Sequence, residues 1–289
     1  MMQPTYMYEA LNWASSFLDR SNKEPRAADI LMKHHLNVDW TDFHLSRREK
    51  LSVDVWEAFY NDVTQHEEGI PIQYLTGCEE FYGRRLKVNE HVLIPRPETE
   101  ELVQGVLDWL KQKRASSLQI ADIGTGSGAI AIALALEAPG LDMTGVDVSE
   151  EALTVAKENA AYFGADVTFL QGNLVDPLLQ GTKTYDVIVS NPPYVPLEEW
   201  EALDTIVRDH EPKQALIGAD EDGLSCYRKI AAYLPTLLKT DGLAAFEVGE
   251  NQGEAVRKIL QTELPLADIE VRRDINGKPR MVFCERDDI

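Results

Sequence analysis

Basic residues are scarce in this chain. There are 28 lysines and arginines against 49 aspartates and glutamates, a formal net charge of −21. So acidic a surface repels a phosphate backbone, and no direct nucleic-acid binding is expected. Cysteines are scarce too: Cys78, Cys226 and Cys284 form no close pair and no metal-ligand spacing. Neither a disulfide scaffold nor a thiolate zinc site is expected; three buried thiols and no metal are the reading. Long apolar runs are missing. The longest, residues 129–136, falls far short of the roughly 20 residues needed to cross a bilayer. The opening "MMQPTYMYEALNW" has neither the basic start nor the apolar middle of a signal peptide. We therefore expect a soluble cytoplasmic protein with no membrane association, and a monomer.

What is present divides in three. Residues 1–77 carry helical stripes: Leu11, Ala14 and Leu18; Ala27, Ile30, Leu31 and His34; Leu51, Val55, Phe59 and Val63. Pro25 suits a first helical turn. His34 and His35 read as helix surface or core, and Trp13, Trp40 and Trp56 as core. "Gly69-Ile70-Pro71" closes the region with two breakers. Residues 78–97 alternate around Gly83 in "EFYGRRLKVNEHVLIP", which predicts a β-hairpin linker.

Residues 98–289 alternate between strand and helix patterns. "LQIADIG", "LDMTGVDV", "VTFLQGNL", "YDVIVSN" and "GLAAFEVG" read as strands. Ser149 is a candidate N-cap for the helix "SEEALTVAKENAAYFG". "IEVRRD" and "RMVFCER" are joined through Asn276-Gly277, a strong hairpin signal. The implied fold class is α/β: a Rossmann-like, mostly parallel sheet with a C-terminal antiparallel hairpin, beside a small all-helical N-terminal domain.

"ADIGTGSGA" sets Gly124, Gly126 and Gly128 between a strand and a helix. Glycines there let the backbone turn tightly and approach a ligand, where a helix N-terminus presents unpaired N–H groups. Asp147 ends the next strand, where a carboxylate can accept both hydroxyls of a ribose. Gly124, Gly126 and Ala129 also satisfy the dinucleotide fingerprint, so a nicotinamide or flavin enzyme is a rival. Asp122 counts against it: a carboxylate just before the glycines repels pyrophosphate and welcomes a cation. S-adenosyl-L-methionine carries a sulfonium, an ammonium and no phosphate. The motif's place in mid-chain, with a hairpin closing the sheet, favours the same ligand. A Rossmann-like S-adenosylmethionine-dependent methyltransferase sheet is the reading, with S-adenosyl-L-homocysteine as the product.

"VIVSNPPYVP" is a buried-strand pattern stopped by two prolines, which cannot donate to a ladder. Ligands of open α/β sheets sit beyond the carboxyl ends of strands, so Asn191 should face the methyl donor. The Asn191 side-chain oxygen and the Pro192 carbonyl are two acceptors able to hold both hydrogens of one planar NH₂ group. Tyr194 offers a ring to stack on it. An amide or exocyclic amine nitrogen is a poor nucleophile because its lone pair is delocalised. Holding both N–H bonds aligns that lone pair with the methyl carbon, which is orientation and electrostatic stabilisation without a strong base.

Read together, "GIPIQYLTG", "EFYG", "LIPRPETEELV", "ADIGTGSGAIAIALA", "GVDVS", "IVSNPPYV", "EPKQALIGADEDGL" and "EVGENQGEAV" resemble the release-factor glutamine methyltransferases, the PrmC/HemK family, almost end to end. Asn-Pro-Pro-Tyr alone is shared with adenine-N6 methyltransferases of nucleic acid, which stand as the alternative. The resemblance implies methyl transfer to the side-chain amide nitrogen (N5) of the glutamine in the Gly-Gly-Gln motif of class I peptide-chain release factors, with the release factor as protein partner. It implies a helical domain that recognises the substrate protein. It assigns Gly124, Thr125, Gly126, Ser127, Gly128, Asp147 and, by a looser match, Asn173 to the cofactor site, beside Asp122 and Asn191. It gives Asn191, Pro192, Pro193 and Tyr194 to the glutamine, with Asn191, Pro192 and Tyr194 as the catalytic set. Arg96 and Glu98 border the active-site mouth, with an ordinary salt bridge as the alternative explanation. His210 stands where the family has phenylalanine. The long segment 195–223 is expected to cover the substrate peptide.

Overall fold

The computed structural model describes residues 4–113, 117–218 and 220–287. They form two compact units: the chain up to Cys78 together with Asp204–His210, and Glu79–Leu203 together with the chain from Glu211 onward.

The first unit is helical. Its elements are α1 (Met7–Arg20), α2 (Ala27–Leu36), α3 (Trp40–Leu45), α4 (Val53–Glu67) and α5 (Ile72–Thr76), with α9 (Thr205–His210). Leu11, Ala14, Leu18, Ala27, Leu31, Phe59 and Val63 are buried in one core, as their spacing predicts. The third stripe is offset at its start. Ser52 caps α4 by accepting from the Val55 N–H, so Leu51 precedes the helix, where its N–H donates to the Thr5 carbonyl. Trp56, not Val55, is the buried position of the first turn. Trp40 is 39% exposed, against its expected core role. It opens α3 directly after the cap residue Asp39, and Lys33 Nζ lies over its ring. His35 pairs with Asp62 at 2.8 Å.

In the second unit, β1 (Cys78–Phe81) and β2 (Arg84–Lys87) form a separate two-stranded ribbon. Tyr82 and Gly83 both take positive φ, as a type I′ turn requires. Phe81 and Leu86 are buried in the core of this unit. After α6 (Pro97–Gln112) the chain alternates through β3 (Gln119–Ile123), α7 (Ala129–Glu137), β4 (Asp142–Asp147), α8 (Glu150–Phe163), β5 (Val167–Gln171) and β6 (Tyr185–Ser190). The short helix α10 (Lys213–Leu216) precedes α11 (Ser225–Ala231), α12 (Leu234–Leu237), β7 (Leu238–Glu247), α13 (Gly253–Glu263), β8 (Asp268–Arg273) and β9 (Pro279–Glu285).

The seven-stranded sheet has the order β5-β4-β3-β6-β7-β9-β8. Pairing is parallel from β5 through to β7, and β9 runs antiparallel to both its neighbours. Strands buried on both faces read as continuous apolar runs. Ile120, Val187, Val189 and Ala245 pack with α6, α7 and α8 on one face; Ala121, Ile123, Ile188 and Phe246 pack with α11, α12 and α13 on the other. Of the thiols, only Cys284 is buried; Cys78 and Cys226 are half-exposed because neither lies on a central strand. Among the described residues no helix is long and apolar enough to cross a membrane.

Gly128 shows how tightly the first βα unit is drawn. It caps α7 at φ +83°, and a Cβ there would lie 2.9 Å from Ile132 Cδ1 and 3.3 Å from Ala156 Cβ. The Ile132 side chain can move, but the α8 backbone carrying Ala156 cannot move cheaply. Gly128→Ala should therefore lower unfolding free energy by about 1–3 kcal/mol, the usual range for a non-glycine residue held in a strained left-handed conformation. Urea denaturation checks this; an unchanged midpoint and slope would show that the α7–α8 contact is looser than drawn.

Candidate active site

The order in which strands are added reverses at β3: β4 lies on one side of it and β6 on the other. Such a switch point opens a crevice at the carboxyl ends of the strands. A cavity of about 370 Å³ lies there. Gly124 and Gly126 after β3, Asp147 at the end of β4, Asn173 after β5, and Asn191 and Pro193 after β6 line it. Glu90, His91, Val92 and Leu93 close it on one side, and Pro212, Gln214, Ala215 and Ile217 on another.

The glycine loop is held from below. The Gly124 and Thr125 N–H groups both donate to the Val146 carbonyl of β4, at 2.8 and 2.9 Å. Gly126, at φ +54°, donates its N–H to Asp147 Oδ2 at 2.8 Å, while Ser149 N–H donates to Asp147 Oδ1 at 3.0 Å. Burial raises the Asp147 carboxyl above its ordinary value, and these backbone donors oppose the rise. Nothing lies within 4 Å of a Cβ placed on Gly126, so the loop leaves open space at that point. Asn159 locks the far side: its Nδ2 donates to the Ser127 and Lys87 carbonyls at 2.9 and 3.0 Å, and its Oδ1 accepts from Lys87 N–H.

Asn191 sits beside the loop for a reason of register. Ser190 pairs with Ile123 on one side and Phe246 on the other, and its hydroxyl donates to the Ile123 carbonyl at 2.6 Å. The next residues, Asn191 and Glu247, thus emerge side by side. Asn191 Nδ2 donates to Thr99 Oγ1 at 3.2 Å, and the Thr99 hydroxyl donates to Glu247 Oε2 at 2.6 Å. Thr99 and Glu247 are both buried. With the NH₂ group committed inward, Oδ1 is the side-chain acceptor Asn191 has left to offer the cavity.

Two families of sequence models match: one described as "PrmC N-terminal domain" at residues 9–77, and one described as "Methyltransferase small domain" at residues 104–210. A release factor glutamine methyltransferase of Bacillus cereus is 49% identical over 280 residues, covering 96% of this chain and 99% of its own. That of Bacillus subtilis is 42% identical over 278 residues, covering 96% of each. The chain belongs to the release factor glutamine methyltransferase family.

Solved structures show that the fold is wider than the family. A methyltransferase from Pyrococcus furiosus superposes with a TM-score of 0.51 at 16% identity, over 71% of this chain and 90% of its own. The hMettl16 catalytic domain, solved in complex with a MAT2A 3'UTR hairpin, gives 0.55 at 14% identity over 82% and 83%. At such identities the likeness is one of fold. The family is one of S-adenosylmethionine-dependent methyltransferases, and the donor set suits that cofactor. Glu90 and Asp147 and the apolar residues Val148, Leu174, Ala152 and Pro193 line the cavity, with Lys229 as the single lysine or arginine there among the described residues. A nucleoside with a cationic tail fits such a lining; a pyrophosphate does not.

The remaining expected site residues fall in different places. Asp122 does not line the cavity. It is fully buried beneath the loop, where its Oδ2 accepts from Thr125 Oγ1 at 2.6 Å and Ala131 N–H at 3.2 Å. Its Oδ1 is buried with no hydrogen-bond partner among the described residues. Thr125 and Ser127 are buried, and with Gly128 they shape the loop without facing the cavity. Pro192 is buried as well, and the Tyr194 ring packs largely against the α11–α13 core. Arg96 makes an ion pair, 2.5 Å from Glu211, whose other oxygen accepts from Ile94 N–H at 3.2 Å. Glu98 borders a separate shallow groove with Arg273 and Ile275. His210 lies in the helical unit, its Nε2 3.1 Å from where a Cβ of Gly69 would be. In the long segment, Val195 forms a parallel bridge with Ile217, and it is the part beyond His210 that walls the cavity.

Thr99, Glu247, Asn159 and Glu211 were missed by reading motifs. Thr99 and Glu247 lie inside quoted matching stretches, and a carboxylate ending a predicted central strand was the available signal for Glu247.

Burial pushes the Asp122 carboxyl up to about 7, against the pull of Thr125 and Ala131. An unfolded aspartate releases its proton near 4. Between those values the folded state holds a proton that the unfolded state has lost, so this group's contribution to stability falls as pH rises from about 4 to about 7. Asp122→Asn removes the titration. Its melting temperature should decline less than the wild type's across that window. Parallel melting curves at every pH would refute the assignment.

Proposed function

We propose that this protein transfers the methyl group of S-adenosyl-L-methionine to the side-chain amide nitrogen, N5, of the glutamine in the Gly-Gly-Gln motif of class I peptide-chain release factors. The observation that carries the reading is the Asn191 amide at the cavity edge, its NH₂ group turned to Thr99 and its oxygen left for a ligand. The relatives named as release factor glutamine methyltransferases support the same substrate.

The cofactor supplies the methyl group. Asp147 and the Gly126 backbone would hold its ribose, with Asn173 near the adenine. Asn191 Oδ1 and the Pro192 carbonyl each accept one hydrogen of the glutamine amide. The nitrogen lone pair is then directed along the line of attack and charge developing on nitrogen is stabilised. This nitrogen would take the methyl group from the bound cofactor with loss of the methyl–sulfur bond, and one amide proton would pass to solvent, leaving S-adenosyl-L-homocysteine. Tyr194 is no base in this scheme. Burial, reinforced by Glu247, pushes its hydroxyl up to about 12, so it stays neutral. Arg96, with Glu211, fixes the segment leading into α6. The helical unit would recognise the release factor.

Incubation with labelled cofactor and release factor, followed by mass spectrometry of the modified peptide, tests the reading. Methyl on the glutamine is expected; methylation of DNA or RNA adenine with none on release factor would overturn it. Asn191→Ala should slow single-turnover transfer by roughly 10²–10³-fold, comparable to removing one oxyanion-hole donor, while cofactor affinity holds. Tyr194→Phe should lose little and Tyr194→Ala much more. Transfer by Asn191→Ala at the wild-type rate would mean the residue merely ends a strand.

Asp147→Ala should weaken cofactor binding by about 1.5–3 kcal/mol, since the lost acceptor is charged. Calorimetry reads this directly. NADH binding in place of S-adenosylmethionine would sink the cofactor assignment.

A further inference from the structure

An asparagine amide has two nearly isosteric ends, and a half-turn about its last bond exchanges donor for acceptor. The proposed chemistry needs the oxygen on the substrate side. Packing alone cannot enforce that choice, because nitrogen and oxygen fill almost the same volume. Something chemically one-sided must face the other end.

Glu247 meets that requirement. It ends β7 one register step from Asn191, it is 2% exposed, and it is not one of the residues that line the cavity. Its Oε2 accepts from Thr99 Oγ1, which thereby has only lone pairs to turn toward Asn191. The Asn191 NH₂ group is the donor those lone pairs receive, and it also lowers the proton affinity of Glu247 as a hydrogen-bond donor. An ionised carboxylate accepts and never donates, so neither Thr99 nor Glu247 offers the Asn191 oxygen a donor.

We propose that Glu247, acting through Thr99, sets which way the Asn191 amide faces and is a positioning residue for methyl transfer. This rests on the function proposed above.

The device has a pH limit. Facing the Glu247 carboxyl are Thr99 and Glu98 from α6, Asn191 and Tyr194 from the end of β6, Arg280 from β9 and Tyr227 from α11. Burial raises the carboxyl to about 7, while Thr99, Arg280 and Asn191 pull it down and Glu98 pushes it up. Once protonated, the carboxyl carries a donor of its own. It can then meet the Asn191 oxygen as well as the nitrogen, and the one-sidedness is lost.

Two readouts test this. In ¹⁵N-labelled protein, the Asn191 side-chain NH₂ should exchange slowly with solvent, and that protection should fall as pH drops through about 7. Glu247→Gln and Thr99→Val should abolish the protection; Thr99→Ser, which keeps the hydroxyl, should recover most of it. In single-turnover transfer to release factor, Glu247→Gln should be slower by about tenfold, the kinetic equivalent of one net hydrogen bond, with cofactor affinity unchanged and the acidic limb of the pH profile flattened. Protection equal to wild type in both Glu247→Gln and Thr99→Val would overturn the proposal. So would a loss confined to cofactor binding. Should wild-type protein methylate no release factor, the functional reading fails, and the exchange measurement still decides the orientation of the amide. If Glu247→Gln does not fold, the contrast between Thr99→Val and Thr99→Ser carries the test.

Discussion

Parallel pairing of β3 with β4 on one side and β6 on the other is the constraint on which the site depends. Parallel strands bring all their carboxyl ends to one edge, and the reversal at β3 leaves that edge open where no crossover helix covers it. Register then does the fine placement. Because Ser190 stands opposite both Ile123 and Phe246, the residues after it must leave the sheet beside the glycine loop and beside Glu247. Two prolines directly after Asn191 stop the ladder from continuing, so the amide is delivered at the rim. Sheet geometry, rather than any loop contact, thus sets the distance between the glycine loop and the Asn191 amide.

Two carboxylates are fully buried close to this rim, Asp122 beneath the glycine loop and Glu247 behind Asn191. Desolvation drives both up to about 7. Each is retained against that penalty by donors that also fix local geometry: Thr125 and the Ala131 N–H for the first, Thr99 and Asn191 for the second. A buried polar group stays tolerable only when its partners are in place. Both carboxylates therefore act as anchors that make one arrangement of the surrounding chain cheaper than its alternatives, one for a loop and one for an amide.

The sheet and much of the cavity were legible in the sequence because their signals are local. Apolar runs marked β6 and β7, short apolar stretches flanked by glycine and aspartate marked β3 and β4, and Asn-Pro-Pro-Tyr marked the end of β6. Asp147 and Asn191 could be placed on the cavity from strand ends alone. What failed was facing. Asp122 lies on the strand just before the glycines, but alternation sends its side chain toward α7, and no single-strand pattern says what lies there. Trp40 read as core because aromatic residues usually are, while its place at the first turn of α3 left it partly in solvent. Thr99 and Glu247 are separated by most of the chain and meet through α6 packing on β7. The end of a central strand could single out Glu247, but its pairing with Thr99 emerges only from tertiary structure.

In the proposed reaction, the same buried pair removes the need for a strong base at the rim. A base strong enough to deprotonate an amide would have to be a charge held near a positively charged sulfonium, where it would stabilise the bound cofactor as much as the transition state, a gain in affinity without a gain in rate. A neutral amide oxygen behaves differently. Its partial charge is small in the ground state, and its hydrogen bond strengthens only as positive charge develops on the substrate nitrogen. The carboxylate sits two hydrogen bonds behind the Asn191 amide group, at Glu247, and polarises the Thr99–Asn191 chain from outside the cavity lining. Placing the full charge behind two neutral groups gives the site a directed acceptor whose effect is concentrated where charge changes during the reaction.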